Sequence, residues 1–470
     1  MSRPLLTWLV CNAIVSLVCA APNTPQTKAP ESFDLNRIDS YLSAQVTERG
    51  GVGLSVALVK NGRLVFAKGY GSRSLEPKLP VEPETMFAIG SVTKQFTSAC
   101  ALLLAQEGKL SVHDKVSKYF PKLTRAGEIT LLDLMNHTSG YPDYYPLDFV
   151  DRRMQKAISP DALMRQYAGG RLDFDPGTDW SYSNTGFIVL GGVVEKVGGQ
   201  SFGQFLSGRI LKPLGLDHTS FAPDSKDGRL ATGYATFALG VAEPATPEGA
   251  GWVGTAGALY STPGDLVKWD LALMGGKLLR PESYQLMTTA RQLPNGRSTG
   301  YGCGLAVGTE AGRTVLRHGG AVSGFQAFNA LIPSTQSAVV LLCNKDGGLG
   351  ALPNILTSLL LRSESNIPKV SGLSALDAVK KTFAQFQAGA VDRTQFGEEF
   401  NSYLSEEKLA GAVRRLHALG APRSAEILQI HERGGMEVTT TSLVLENKTL
   451  EVLMYRTPGG RIEQFFIDEK

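Results

Sequence analysis

Two groups of strand-forming segments stand at opposite ends of one long stretch of this chain. That placement restricts the fold more than any other feature. Val52 to Val59 and Arg63 to Ala67 read as a strand pair, with Asn61-Gly62 between them, a dipeptide that tolerates the positive φ of a tight hairpin. Thr314 to Arg317, Phe325 to Ile332 and Ser337 to Cys343 read as strands again, with Pro333-Ser334 turning the last two. Between the groups lie helices and Gly/Pro turns, densest from about Asp114 to Asp270. Apolar residues at Val92, Phe96, Ala99, Cys100, Leu103 and Leu104 follow the helical period, and Gly108 stops that helix. A helix is expected near Phe33 and a closing one over Ala351 to Leu361. The economical solution is an α+β fold, with one antiparallel sheet completed by both ends of the domain, flanked by helices and carrying a helical insertion. We assign residues 32–365 to it.

A second unit is expected over residues 370–470. Ala375 to Ala388 and Ser402 to Ala418 read as helices. Glu437 to Leu445, Leu450 to Arg456 and Ile462 to Ile467 read as strands, with turns at Asn447 and Pro458-Gly459-Gly460. This is a small C-terminal α+β domain without a cluster of catalytic residue types, so packing or binding is its expected role, and its partner is unknown.

The first 20 residues differ from the rest. Arg3 is the only charge before Lys28, and an apolar run from Leu5 ends in Val18-Cys19-Ala20. This reads as a secretory signal over residues 1–20, followed by a polar linker over 21–31, and implies a secreted or periplasmic protein with no stable membrane insertion after cleavage. The alternative is an anchor formed by an uncleaved N-terminus. Charged residues make up 19% of the chain, the net charge is +3, and no basic block occurs, so nucleic-acid binding is not expected. Beyond the signal the cysteines are Cys100, Cys303 and Cys343, which read as buried apolar residues, with one disulfide left open. The histidines show no metal-ligand spacing, so neither a metal nor another cofactor is expected.

Three segments carry chemistry. In Ile89-Gly90-Ser91-Val92-Thr93-Lys94, a lysine three residues after a serine shares its helix face. A serine hydroxyl needs a base in contact before it can attack a carbonyl, and a desolvated, neutral lysine can be that base. Alone, such a tetrad arises by chance in most chains of this length. In Trp180-Ser181-Tyr182-Ser183-Asn184, a phenol depressed by nearby cations could relay a proton, and the Asn184 amide could hold a substrate amide. The competing reading is a turn with Asn184 capping the helix that follows. In Arg317-His318-Gly319-Gly320-Ala321, placed at a strand end, Gly319 and Gly320 would let a substrate lie along the strand edge. The backbone N–H groups of Ala321 and Ser91 would form an oxyanion hole. Here the competing reading is a histidine in a turn. The three segments follow one another at intervals of 91 and 136 residues, on a helix start, a loop and a strand end.

In that order they resemble the active-site serine set of penicillin-interacting enzymes. The chain resembles the class C β-lactamase and D-alanyl-D-alanine carboxypeptidase-like serine hydrolase family. Tyr-Ser-Asn is similar to the class C form of the second motif, and His-Gly-Gly to the carboxypeptidase and esterase form of the third. The likeness extends through Phe87 to Thr97, Leu131 to Gly140, Phe174 to Gly177, Pro213 to Leu216 and Ala256 to Leu266. The resemblance implies that Ser91 forms an acyl-enzyme, that Lys94 and Tyr182 exchange its proton, that Tyr182 assists deacylation, and that Asn184 contacts substrate. His318 stands where many β-lactamases carry lysine, which weakens the demand for an anionic substrate. The expected substrate is a small-molecule or peptidoglycan-derived acyl compound: an ester, a D-amino-acid peptide or a β-lactam. The alternative is a penicillin-binding or sensing protein with little turnover. Asp143, Tyr144, Tyr145 and Trp252 are candidates for the cleft wall, and His137 for a structural hydrogen bond.

Overall fold

The computed structural model describes residues 27–30, 32–362 and 367–469. The expected signal and most of the linker lie outside the described residues. After helix α1 (Leu35–Thr47) come strands β1 (Gly53–Lys60), β2 (Arg63–Leu75) and β3 (Lys78–Pro80), then helix α2 (Thr93–Gln106). The helical region contains α3 (Asn184–Gly198) and α4 (Pro263–Met274). Strands β4 (Ala306–Glu310), β5 (Arg313–Val322), β6 (Phe325–Ile332) and β7 (Ser337–Cys343) follow, and α5 (Leu352–Leu361) closes the unit. The sheet order is β3-β2-β1-β7-β6-β5-β4. The two ends of the domain therefore meet at its centre, where Leu54 faces Cys343 and Val59 faces Ala338 in antiparallel register.

Strand alternation explains the two cores. Leu54, Val56 and Leu58 of β1, with Val339, Leu341 and Cys343 of β7, point to the face covered by α1 and α5. Ala57 and Val59, with Ala338, Val340 and Leu342, point to the opposite face and the helical core. Both central strands are buried on both faces, which is why they read as near-continuous apolar runs.

A buried polar junction fixes α2 against this sheet. Trp269 of α4 stacks on Phe96 at 4.1 Å between centroids, and its indole N–H donates to Gln95 Oε1 at 2.9 Å. Gln95 Nε2 donates to Asn329 Oδ1 on β6, and Asn329 Nδ2 donates to both carboxyl oxygens of Asp270 at 2.9 and 2.8 Å. The Asp270 carboxyl is pushed well above the usual range by burial. Because α2 carries the nucleophile segment at its start, this junction also sets where that segment sits.

The second unit contains helices α6 (Ala375–Ala388) and α7 (Glu406–His417), a short helix Glu398–Tyr403, and a four-stranded antiparallel sheet. Its strands are β8 (Ser424–Arg433), β9 (Met436–Val444), β10 (Thr449–Arg456) and β11 (Ile462–Glu469), paired in chain order. The single helix expected over 402–418 is thus two, broken where Leu404 and Ser405 leave helical backbone. Strand β8 was not expected from sequence. It is an edge strand with exposed charged residues and no clean alternation. It also carries an irregularity between Ile427 and Gln429. There the Leu428 carbonyl accepts from Arg37 of α1 at 3.0 Å, and Glu426 pairs with the same guanidinium. Cys100, Cys303 and Cys343 are buried free thiols.

Candidate active site

The start of α2 is pressed against β5 by two glycines. Gly90 has φ +48°, and a Cβ there would lie 2.8 Å from Ala321 N. A Cβ on Gly320 would lie 2.0 Å from Ile89 O. Only glycine permits either approach. The pair brings the backbone of Ser91 against that of Ala321, the two residues expected to supply an oxyanion hole. Ser91 stands in a short 3-10 turn, Gly90–Val92, that runs into α2. The histidine segment lies inside β5, not at a strand end, because the strand continues to Val322. Strand β4 pairs with β5 only as far as Arg317, so Gly319 to Ala321 keep one edge without a strand neighbour.

Lys94 is fully buried and its Nζ has three contacts: Ser91 Oγ at 3.0 Å, Asn184 Oδ1 at 2.7 Å and Ala256 O at 2.9 Å. Burial pushes its amine down to about 7, partly opposed by the negative charge of Asp143. A neutral amine has two N–H donors and one lone pair. The two carbonyl-type oxygens can only accept, so they take the N–H bonds. The lone pair then falls to the one partner that can donate, the Ser91 hydroxyl.

Tyr182 borders the same cavity as Ser91 and lies with its ring 4.8 Å from Lys94 Nζ. Burial raises its phenol above the ordinary value, with the nearby Ser91 hydroxyl acting the other way. This corrects the expectation of a phenol depressed by cations: a neutral amine supplies little positive charge, and desolvation dominates. Tyr182 therefore stays protonated at rest.

Asn184 is the first residue of α3, and Ser183 caps the helix through Gly186 N. The capping reading of Asn184 thus falls to its neighbour. Its amide bridges Lys94 on one side and Asp143 on the other, with Nδ2 donating to both Asp143 oxygens at 3.0 and 3.2 Å. His137 is buried at φ +62° behind Tyr182, at 4.3 Å between ring centroids. Its Nδ1 accepts from Ser183 N–H at 3.1 Å, the structural role expected of it.

His318 is held neutral in one tautomer. Its Nδ1 is 2.6 Å from Gly319 O, an acceptor, so Nδ1 carries the proton. Its Nε2 accepts from the Tyr301 hydroxyl at 2.6 Å. Burial lowers its titration to about 3. Tyr301 lies on an irregular segment before β4, and nothing in its local sequence marks it.

Ser91, Tyr182, Asn184, His318, Gly319, Gly320 and Ala321 all border one cavity of about 910 Å³. Lys94 lies beneath it, in contact with Ser91. Asp143, Asp148 and Asp346 contribute carboxylates to the wall, and no lysine or arginine is among the described residues that line it. Tyr144 and Tyr145 also reach the wall, and Tyr145 donates to Glu248 at 2.8 Å. Trp252 does not: it is buried, donating to Lys156 O.

Comparison with known proteins places the fold and the family. A family model described as Beta-lactamase matches residues 38–361. The penicillin-binding protein named PbpX of Bacillus subtilis (strain 168) is 31% identical over 306 residues, 64% of this chain and 74% of that protein. The chain spans 62% of the length of other curated relatives it matches. The D-amino acid amidase of Ochrobactrum anthropi SV3, solved with L-phenylalanine amide, superposes with TM-score 0.61 at 25% identity, covering 69% of this chain and 98% of that one. An octameric penicillin-binding protein homologue from Pyrococcus abyssi shares the fold over 93% of this chain and 96% of its own, with TM-score 0.61 and 22% identity. With the family model spanning the whole unit that carries the Ser91 cavity, the chain belongs to the Beta-lactamase family and is a serine hydrolase of it.

Proposed function

We propose that this hydrolase works through an acyl-enzyme on Ser91 and prefers esters and amides that carry no obligatory carboxylate. The contact between a buried, neutral Lys94 amine and the Ser91 hydroxyl carries the reading. As Ser91 Oγ bonds to the substrate carbonyl carbon, its proton passes to Lys94. The carbonyl oxygen takes the negative charge against the N–H groups of Ser91 and Ala321. When the C–O or C–N bond to the leaving group breaks, Tyr182 hands that group a proton and recovers one from Lys94. Water then adds to the acyl carbon, losing a proton along the same route, and Ser91 leaves with its hydroxyl restored.

The substrate preference rests on charge. A neutral His318 and the wall carboxylates Asp143, Asp148 and Asp346 offer nothing to a substrate carboxylate. A substrate with a free amine suits this cavity better, and the amidase likeness points the same way. Efficient β-lactam hydrolysis is correspondingly disfavoured. The first 20 residues further support export, which N-terminal sequencing of the mature protein would test by finding a start near Ala21.

The test is turnover of p-nitrophenyl esters, D-amino-acid amides, D-alanyl peptides and a chromogenic cephalosporin by the wild type and Ser91→Ala. We expect turnover of the ester and amide, and none in the variant. Undiminished turnover in a folded Ser91→Ala protein would refute the assignment. A single stoichiometric burst on every substrate would favour the sensing alternative.

A further inference from the structure

We propose that Asp143 is the positioning residue of the general base: by holding the nitrogen end of the Asn184 amide, it presents the oxygen end to Lys94 and so aims the lysine lone pair at Ser91. The inference rests on the proposed Ser91–Lys94 chemistry and assigns a further residue to it.

The two ends of an asparagine amide have nearly the same shape, so only their partners decide which way it faces. Here the choice has a chemical consequence. With Oδ1 toward Lys94, the amine spends its two N–H donors on Asn184 Oδ1 and Ala256 O, leaving the lone pair for Ser91. With the amide reversed, Nδ2 would confront Nζ at 2.7 Å, and a neutral amine could satisfy it only by turning the lone pair away from Ser91. A carboxylate can only accept, so Asp143 excludes the reversed state. Asp143 is itself anchored. Its Oδ1 accepts from the backbone N–H of Asn184 at 3.1 Å and of Tyr145 at 3.3 Å, besides Asn184 Nδ2. It lies 41 residues from Asn184 in the chain and lines the same cavity as Ser91.

Asp143 also sets the charge around the base. The ionisable groups facing Lys94 are Asp143, Tyr182, His137 and His318. Tyr182 is held protonated, and both histidines are pushed toward their neutral forms by burial. Glu248 lies farther out, acting on Tyr144 and Tyr145. Asp143 is therefore the anion that favours protonated Lys94, and its removal should lower the pH at which the amine becomes a base.

The experiment compares wild type, Asp143→Asn and Asp143→Ala on an activated ester over a range of pH, with melting temperatures and Ser91→Ala as the inactive reference. Asp143→Ala should lose kcat by about 10²-fold, the scale of a misdirected catalytic group. Asp143→Asn can keep the Oδ1 contacts and should retain a larger share. In Asp143→Asn the acid limb of kcat/KM should move to lower pH. A role confined to packing would lower the melting temperature without moving that limb. An unmoved limb in folded Asp143→Asn, or wild-type kcat in Asp143→Ala, would overturn the assignment. Should Ser91→Ala retain turnover, the underlying chemistry fails instead. The Asn variant decides the matter if the Ala variant does not fold.

Discussion

The most direct consequence of the site geometry is a single acid limb governed by Lys94. Burial brings its amine from 10.5 down to about 7, about 5 kcal/mol in favour of the neutral form at about 1.36 kcal/mol per pH unit. Below pH 7 the protonated form prevails and cannot accept the Ser91 proton. The rate should then fall about tenfold for each further pH unit. The other groups near Ser91 do not cross their titration there: His318 titrates at about 3, and Tyr182 is raised above the ordinary phenol range. Between pH 5 and 9, kcat/KM for a neutral ester should therefore rise with unit slope to a plateau entered near pH 7. A limb near 4 would point to a carboxylate base, and a flat profile would remove Lys94 from the proton path. Either result refutes the reasoning. Stability carries the same signature. Between about 7 and 10.5 the unfolded lysine binds a proton that the folded one does not, so this group's contribution makes the fold more stable as pH rises through that window.

Two further perturbations probe the framework. Asp270→Ala leaves the buried Asn329 amide without its acceptor and should cost about 1–3 kcal/mol, measured by urea unfolding, with activity reduced if α2 shifts. Arg456→Met strands the buried Glu437 carboxylate, which now accepts from Arg456 Nε at 2.9 Å, and frees the Leu373 carbonyl. It should destabilise the C-terminal unit by about 3–5 kcal/mol, read as faster limited proteolysis of residues 370–470 while ester turnover persists.

The central strands were legible in sequence because burial on both faces writes unbroken apolar runs, as in Ser337–Cys343. Edge strands were not. Ala306–Glu310 and Ser424–Arg433 are half solvated, and each is held by hairpin pairing to the strand that follows it rather than by an apolar pattern of its own. The extent of β5 was underestimated because His318-Gly319-Gly320 has poor strand propensity, yet Gly320 is required by the approach of Ile89. Ser91, Lys94 and Tyr182 were recoverable because each is a chemically distinctive residue in a local motif. Asp143 was visible only as a possible wall residue, and Tyr301 not at all. Their importance lies in contacts with Asn184 and His318 that no local spacing encodes.

The meeting of Gly53–Lys60 with Ser337–Cys343 has a consequence for how the enzyme comes into being. A growing polypeptide displays its first hairpin long before the segment that must zip alongside it exists. Until then one apolar flank of β1 lies open to strangers, and β5, one wall of the cleft, is missing. Hydrolytic competence thus arrives late and all at once, and a truncated product would be inert and prone to sticking rather than partly active.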